Sequence, residues 1–109
     1  MTSDAARRLT FRSPMTETRI DRTDERDLLA AARAGDELAF GRLVDRHRPG
    51  LELFCYLMLG CPRDAEELVQ EAVLCAWRAR ERAESGASAR TWLYRIAMHA
   101  CLDELDRRR

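Results

Sequence analysis

The apolar residues between Asp64 and Trp77 recur in alternating steps of three and one, without interruption. This period places them on one stripe of an α-helix, which a helix in water has to bury against a neighbouring element. Nowhere does the chain show the apolar–polar alternation of a half-buried strand. The spacing therefore predicts an all-α fold, and the length of 109 residues limits it to one domain with a modest core.

Capping and turn residues divide the N-terminal half of the chain into helices. A short helix is predicted to begin near Thr23 or Asp24, either of which is a good N-cap, and to end at Gly35. Asp36 is a suitable N-cap for the next helix. Proline removes a backbone donor and clashes with the preceding turn, so a kink or break is expected at Pro49 and Gly50.

Turn residues mark two further helices in the C-terminal half. Gly60 and Pro62 separate the helix of the opening stripe from the apolar segment before it, with proline suited to the first helical turn. The small residues 85–88 form the clearest loop, after which Ser88 or Thr91 caps a last helix. The expected architecture is a compact bundle of three to four helices.

The N-terminal segment differs from the rest of the chain. Residues 1–23 carry only scattered apolar side chains, so they cannot bury enough surface to offset the entropy of ordering. We expect a flexible, disordered tail followed by one helical domain over residues 24–109. The chain has no apolar run long enough for a membrane span or a signal peptide, and we expect a cytoplasmic protein without membrane contact.

The reactive side chains form no recognisable catalytic or metal-binding pattern. The four cysteines include no CxxC pair, and the two histidines have no metal-ligand spacing. We expect reduced thiols, with Cys75 and Cys101 buried in helices as small hydrophobic residues. A Gly-rich phosphate loop and a Ser-His-Asp set are also absent from the sequence. These observations favour a non-enzymatic protein that uses no metal or cofactor.

Charge is distributed unevenly along a chain whose net charge is zero. Residues 28–74 carry five arginines against eight acidic residues, whereas residues 75–109 carry eight arginines against five. All 19 basic residues are arginine, a side chain suited to bidentate phosphate contacts, although a GC-rich genome also explains this bias. The C-terminal part is therefore a candidate for phosphate contact.

Two polar surfaces follow from the helical patterns. The face opposite the apolar stripe carries Glu67, Gln70, Glu71 and Leu74. Such rows are usually solvated, but a leucine among carboxylates suits a partner helix that presents arginines. The last helix leaves Arg95 and His99 exposed and leads into arginines at 107–109, which either meet phosphate or oppose the helix dipole. Trp92 and Tyr94 either pack in the core or act as stacking platforms for unpaired bases.

Three stretches of this sequence resemble region 2 of bacterial sigma factors of the extracytoplasmic-function (ECF) group. DAEELVQEAVLCAW is similar to the family pattern D-A-E-D-L-V-Q-E-x-F-L-x-A-W, and WLYRIAMHACLDELDRRR to W-L-Y-x-I-A-x-N-x-x-L-D-x-L-R-R-R. The upstream stretch GDELAFGRLVDRHRPGL is similar to G-D-x-x-A-F-x-x-L-Y-x-R-Y-x-P-x-L. The resemblance covers about residues 24–109 and implies a sigma region 2-like helical domain.

The resemblance implies a function in promoter recognition during transcription initiation. The acidic face would dock on the clamp helices of the RNA polymerase β′ subunit, and no cofactor would be needed. The loop and the last helix would capture the single-stranded non-template −10 element as it melts. By motif position the docking residues are Glu67, Gln70, Glu71 and Leu74, and the DNA-binding residues are Ser85, Gly86, Ser88, Arg90, Thr91, Trp92, Arg95, His99, Arg107 and Arg108. An anti-sigma factor is the expected inhibitory partner.

The sequence departs from the family pattern at three positions. Glu67 replaces the usual aspartate, His99 replaces asparagine, and Asp106 replaces arginine. Asp106 places a negative charge near the expected DNA backbone. The helix-turn-helix region 4 is not found in this sequence, and we expect the chain to be cut at a linker. A helical protein-interaction module that binds no specific DNA is the alternative function, and a helix-turn-helix repressor is disfavoured by the loop before the last helix.

Overall fold

The computed structural model describes residues 25–83 and 88–109. The predicted tail and the loop residues Ser85 and Gly86 lie outside these ranges. The described part contains four α-helices and no strand, which confirms the predicted all-α bundle. The helices are α1 (residues 25–33), α2 (Glu37–Leu59), α3 (Pro62–Arg78) and α4 (Ala89–Arg107), and a short 3-10 helix, Arg80–Arg82, follows α3.

The boundaries of α2 follow the predicted caps. The Asp36 carboxylate accepts a hydrogen bond of 3.1 Å from the backbone N–H of Ala39, satisfying one of the free donors of the first turn. Gly35 and Gly60 have φ values of 105° and 80°, in the left-handed region that glycine adopts without steric cost. The Gly60 N–H donates to the carbonyl of Tyr56, and this contact closes α2.

The starts of α3 and α4 also agree with the sequence. Pro62 occupies the first turn of α3, where its missing N–H is not needed. Ser88 is the N-cap of α4, because its hydroxyl accepts a 3.0 Å hydrogen bond from the Thr91 backbone N–H. The same hydroxyl donates to the Thr91 hydroxyl over 2.8 Å. Of the two caps that the sequence leaves open, the structure selects Ser88.

A kink or a break was predicted at Pro49, and the break is wrong, because α2 runs without interruption from Glu37 to Leu59. Proline in a helix interior costs about 3 kcal/mol. Val44 before the proline and Leu51 after it are both buried in the same core, and Leu51 is only 1% exposed. Burying one such side chain contributes about 1.5–3 kcal/mol. Continuing the helix keeps both sets of side chains in the core, and this gain offsets the local cost of the proline.

The core lies where α2, α3 and α4 pack against one another. Phe40 of α2 links the three helices, with ring centroids 5.1 Å from Trp77 and 6.5 Å from Trp92. Leu28 and Leu29 of α1 belong to a second buried cluster that also contains residues of α2. The last helix, α4, packs against both α2 and α3, as its wide apolar surface predicts.

The four cysteines are free thiols in different environments. Cys55 of α2 and Cys101 of α4 are buried in the shared core, whereas Cys75 is exposed, so its predicted burial is wrong. Cys75 lies at the flank of the apolar stripe, outside the positions that face α2. Among the described residues, no helix is long and apolar enough to cross a membrane, and no cluster of three potential metal ligands is found.

Candidate protein-binding and nucleic-acid-binding surfaces

The outer face of α3 carries the four predicted docking residues, and all four are exposed: Glu67, Gln70, Glu71 and Leu74. Their spacing of three, four and seven positions places them on one side of the helix, over about 10 Å of its length. Leu74 keeps 55% of its surface exposed, and it lies on the same side of the helix as the exposed residues three and four positions before it, Glu71 and Gln70. We call this set the acidic face. It presents two carboxylates and an amide, followed by an apolar side chain at the C-terminal end of the set.

One exposed side of α4 begins in the first turn of the helix. Thr91, Arg95 and His99 are exposed and lie one turn apart, so they share one side of the helix. Met98 and Leu102 are 38% and 45% exposed and add apolar surface beside them. The structure thus brings three of the predicted residues of the last helix, Thr91, Arg95 and His99, together on one surface, which we call the α4 strip.

Two predicted DNA-binding residues near the start of α4 have intramolecular contacts. The Arg90 guanidinium lies over the Tyr94 ring, 5.2 Å from its centroid, while the residue stays exposed. Trp92 is only half-buried, and its ring packs edge-on against Phe40. Trp92 therefore acts first as a core residue, whereas Arg90 remains accessible to solvent.

The arginines at the end of α4 are held by carboxylates. Arg107 donates to Glu104 over 2.6 Å, and Arg108 donates to the other oxygen of Glu104 over 3.0 Å. Arg108 also reaches α3, where it donates to the Asp64 carboxylate over 2.7 Å. The hydrogen bonds from Arg108 and Arg107 lower the pKa of Glu104, and those to Glu104 and Asp64 raise the pKa of Arg108. Much of the charge predicted for phosphate contact is therefore compensated within the domain.

Sequence reasoning missed two apolar surfaces. Phe54, Tyr94 and Met98 line a pocket between α2 and α4. Leu53 and Leu57, one helical turn apart on α2, are both exposed. A signal for the second surface exists, because every residue from 53 to 59 is apolar, which is more than one buried stripe can hold. The pocket has no comparable signal, since it depends on how α2 and α4 cross.

The described residues form a small all-α domain with exposed charged and apolar surfaces of the kind that bind other macromolecules. The family model described as sigma-70 region 2 matches residues 43–109, a range that contains α3, α4 and most of α2. The chain belongs to this family. The match confirms the resemblance inferred from the three sequence stretches.

Similar proteins carry names from the same group. An ECF RNA polymerase sigma factor, SigG of Mycobacterium tuberculosis, is 45% identical over 80 residues, which cover 73% of this chain and 21% of that protein. SigM of the same organism is 39% identical over 89 residues, covering 82% of this chain and 45% of SigM. SigW of Bacillus subtilis is 33% identical over 75 residues, covering 69% and 40%. The chain thus spans less than half the length of each.

Proposed function

We propose that this chain is the promoter-recognition domain of an alternative sigma factor. The acidic face of α3 docks on the clamp helices of the RNA polymerase β′ subunit. The α4 strip holds unpaired bases of the −10 element on the non-template strand. The domain catalyses no reaction and uses no cofactor, and it acts in the cytoplasm, where the polymerase works. An anti-sigma factor that covers the acidic face would keep it inactive.

One observation supports this proposal: the acidic face and the α4 strip lie on two helices of the same bundle, α3 and α4. α3 and α4 pack directly against each other through a shared core. A protein bound to the acidic face is thereby fixed in position relative to a strand on the α4 strip. This coupling is what a domain needs if it is to position DNA on a large enzyme.

The docking part is tested by charge reversal on α3. Glu71→Arg should abolish co-purification with a β′ clamp fragment, since it places like charge against the arginines expected on the partner helix. Asp45→Arg is the matched control, because Asp45 lies on α2 with a side chain 77% exposed and undergoes the same change of charge. Unchanged recovery of Glu71→Arg, or equal loss in both variants, would refute the assignment of the acidic face.

The DNA part is tested with single-stranded oligonucleotides. The chain is first used to select from a randomised pool, and fluorescence anisotropy then compares the selected sequence with a scrambled one. Arg95→Ala should weaken binding and reduce the salt slope by about one, as expected when one phosphate contact is lost. Arg78→Ala, on exposed α3 surface, is the control. Equal binding of the selected and scrambled strands would refute sequence-specific recognition of single-stranded DNA.

The pairing of Arg107 and Arg108 favours one alternative function. Their carboxylate partners reduce the charge available for phosphate, and Asp106 is exposed beside them. A helical interaction module that binds a protein partner without specific DNA recognition fits these contacts. Retained capture of the β′ fragment, together with equal binding of selected and scrambled strands, would select this alternative.

A further inference from the structure

The proposed function gives α1 no part, and α1 lies before residues 43–109, the range that the family model matches. The buried side chains of α1 are Leu28, Leu29 and Ala32, which share one stripe of the helix. Ala32 belongs to the core that α2, α3 and α4 share, whereas the two leucines belong to the second buried cluster. The role of α1 therefore depends on what else the second cluster contains.

The second cluster joins α1 to the start of α4. Its other buried members are Ala39 and Leu43 of α2, Ala83 directly after the 3-10 helix, and Ala89, the first residue of α4. Ala83 and Ala89 are only 2% and 3% exposed. Leucine is the largest buried side chain of this cluster, and α1 provides two of its three leucines. The burial of the first residue of α4 thus depends on α1.

The residues next to Ala89 are those that the proposed function assigns to a DNA strand. Arg90 and Thr91 lie in the first turn of α4, and the N-cap Ser88 bonds to the backbone and the hydroxyl of Thr91. The ring of Trp92 packs partly against the second cluster. Because these residues form one helical turn, a change in the packing of Ala89 also moves the side chains that would contact a strand.

Helix α1 is short and has a small buried face. Its nine residues are fewer than the 12–15 or so that an isolated helix needs in water, so α1 depends on its packing. Outside the buried face, Glu25 contacts His47 of α2, with 3.1 Å between the carboxylate oxygen and Nε2. Elements with few buried contacts open at a lower free-energy cost than the whole domain. Undocking of α1 removes only Ala32 from the core shared by the three long helices.

We propose that α1 is a clasp that positions the start of α4. With α1 docked, Arg90 and Thr91 are held in the arrangement that binds a strand. With α1 undocked, the first turn of α4 loosens and strand binding weakens. The acidic face is unaffected, because the second cluster contains no residue of α3. The effect on strand binding rests on the proposed function, whereas the coupling between α1 and α4 does not. A helix that merely stabilises the whole domain is the competing interpretation.

Amide hydrogen exchange measures the coupling without DNA. The Trp92 amide donates to the Ser88 carbonyl over 3.1 Å and reports on the first turn of α4, and the Ala97 amide reports on the middle of the same helix. Leu29→Ala should speed exchange at Trp92 about tenfold more than at Ala97, because it favours local opening of α1. Leu68→Ala is the matched control, since Leu68 of α3 is similarly buried but lies in the other cluster. It should not favour Trp92 over Ala97.

Fluorescence anisotropy with the selected oligonucleotide measures the effect on strand binding. Leu29→Ala should weaken binding about tenfold, because the apparent affinity falls with the fraction of chain in the competent state. Capture of the β′ clamp fragment should stay unchanged. Leu29→Met nearly keeps the side-chain volume and should restore both exchange and binding. Glu25→Ala removes the contact with His47 without touching the core, and it should change exchange and binding in the same direction. Glu66→Ala, on the exposed surface of α3, is its control.

Each outcome decides the inference. Faster exchange confined to the first turn of α4, with weaker strand binding and unchanged fragment capture, supports it. Equal acceleration at Trp92 and Ala97 in Leu29→Ala overturns it, because α1 then stabilises the whole domain. If Leu29→Ala unfolds, an absence of any effect of Glu25→Ala overturns it. Local acceleration with unchanged strand binding overturns the positioning role. If the unchanged chain binds no strand, the proposed function fails, and the exchange rates alone decide whether α1 holds α4.

Discussion

Gly50→Ala should destabilise the domain, although helix propensity alone predicts the opposite. Gly50 lies in the interior of α2, where alanine is favoured over glycine by about 1 kcal/mol. The new Cβ atom would overlap the Tyr94 hydroxyl. Tyr94 has little freedom to retreat, because moving its ring breaks the edge-to-face contact with Phe54 and the contact with Arg90. Overpacking of this kind costs about 1–3 kcal/mol.

Gly41 provides the matched control for this substitution. It lies in the same helix, and a Cβ atom there would meet nothing within 4 Å. Gly41→Ala should therefore stabilise the domain by about 0.5–1 kcal/mol. Gly50→Ala should be less stable than Gly41→Ala by about 1–3 kcal/mol, which is the cost of the overlap with Tyr94. Urea unfolding followed by circular dichroism measures both free energies of unfolding.

A second substitution isolates the cause. Tyr94→Phe removes the hydroxyl that the new Cβ would overlap, and the next ring atom of residue 94 lies at 3.5 Å, which is ordinary contact. In the Tyr94→Phe background, Gly50→Ala should become neutral or stabilising. The coupling free energy of this double-mutant cycle should therefore equal most of the free-energy cost of the overlap. If Gly50→Ala stabilises the unchanged chain as much as Gly41→Ala does, the close approach of α2 and Tyr94 is refuted.

Three further predictions concern the thiols and the end of α4. In the native chain, Cys75 should react with a maleimide within the mixing time, because it is exposed. Cys55 should react only on unfolding, because burial and the contact with Cys101 raise the pKa of the Cys55 thiol to about 12. Mass spectrometry of the labelled peptides measures both rates, and equal rates would contradict the burial of Cys55. Asp64→Asn removes the α3 partner of Arg108, and the salt dependence of oligonucleotide binding should stay unchanged, because Glu104 still holds Arg108 at the end of α4 far from Arg90 and Arg95; a steeper salt slope would contradict this expectation. The hydrogen bonds from Arg108 and Arg107 lower the folded-state pKa of Glu104. The ionised Glu104 carboxylate therefore stabilises the fold above its unfolded-state pKa, and this stabilisation is lost as the pH falls through the lower folded-state pKa. Acid unfolding of Glu104→Gln and of the unchanged chain measures the difference, and superimposable curves would contradict the prediction.

Local chemistry was enough to predict where most helices begin and end. Asp36 and Ser88 cap helices by bonds to residues three positions away, and the cap at Gly60 depends on a backbone conformation that glycine favours. The acidic face was also predictable, because helical period alone separates Glu71 and Leu74 from the buried stripe. These features need only a few neighbouring residues, and a sequence contains all of them.

Features that depend on distant residues were not predictable. The sequence suggested a break at Pro49, but the burial of Leu51 against other helices decided the outcome. The bond between Arg108 and Asp64 spans 44 positions, and no local pattern reveals it. The pocket is also a product of tertiary packing, since Phe54 and Tyr94 meet only when α2 and α4 cross.

The distribution of charge along α4 favours its N-terminal end as the part that would contact nucleic acid under the proposed function. At its C-terminal end, Arg107 and Arg108 are paired with carboxylates, and Asp106 adds exposed negative charge. At its N-terminal end, Arg90 and Arg95 are exposed, and the helix dipole adds partial positive charge. Phosphates are therefore attracted to the end of α4 that carries the pocket. Within the arginine run that first suggested DNA binding, Arg108 instead ties the C-terminal end of α4 to Asp64 of α3.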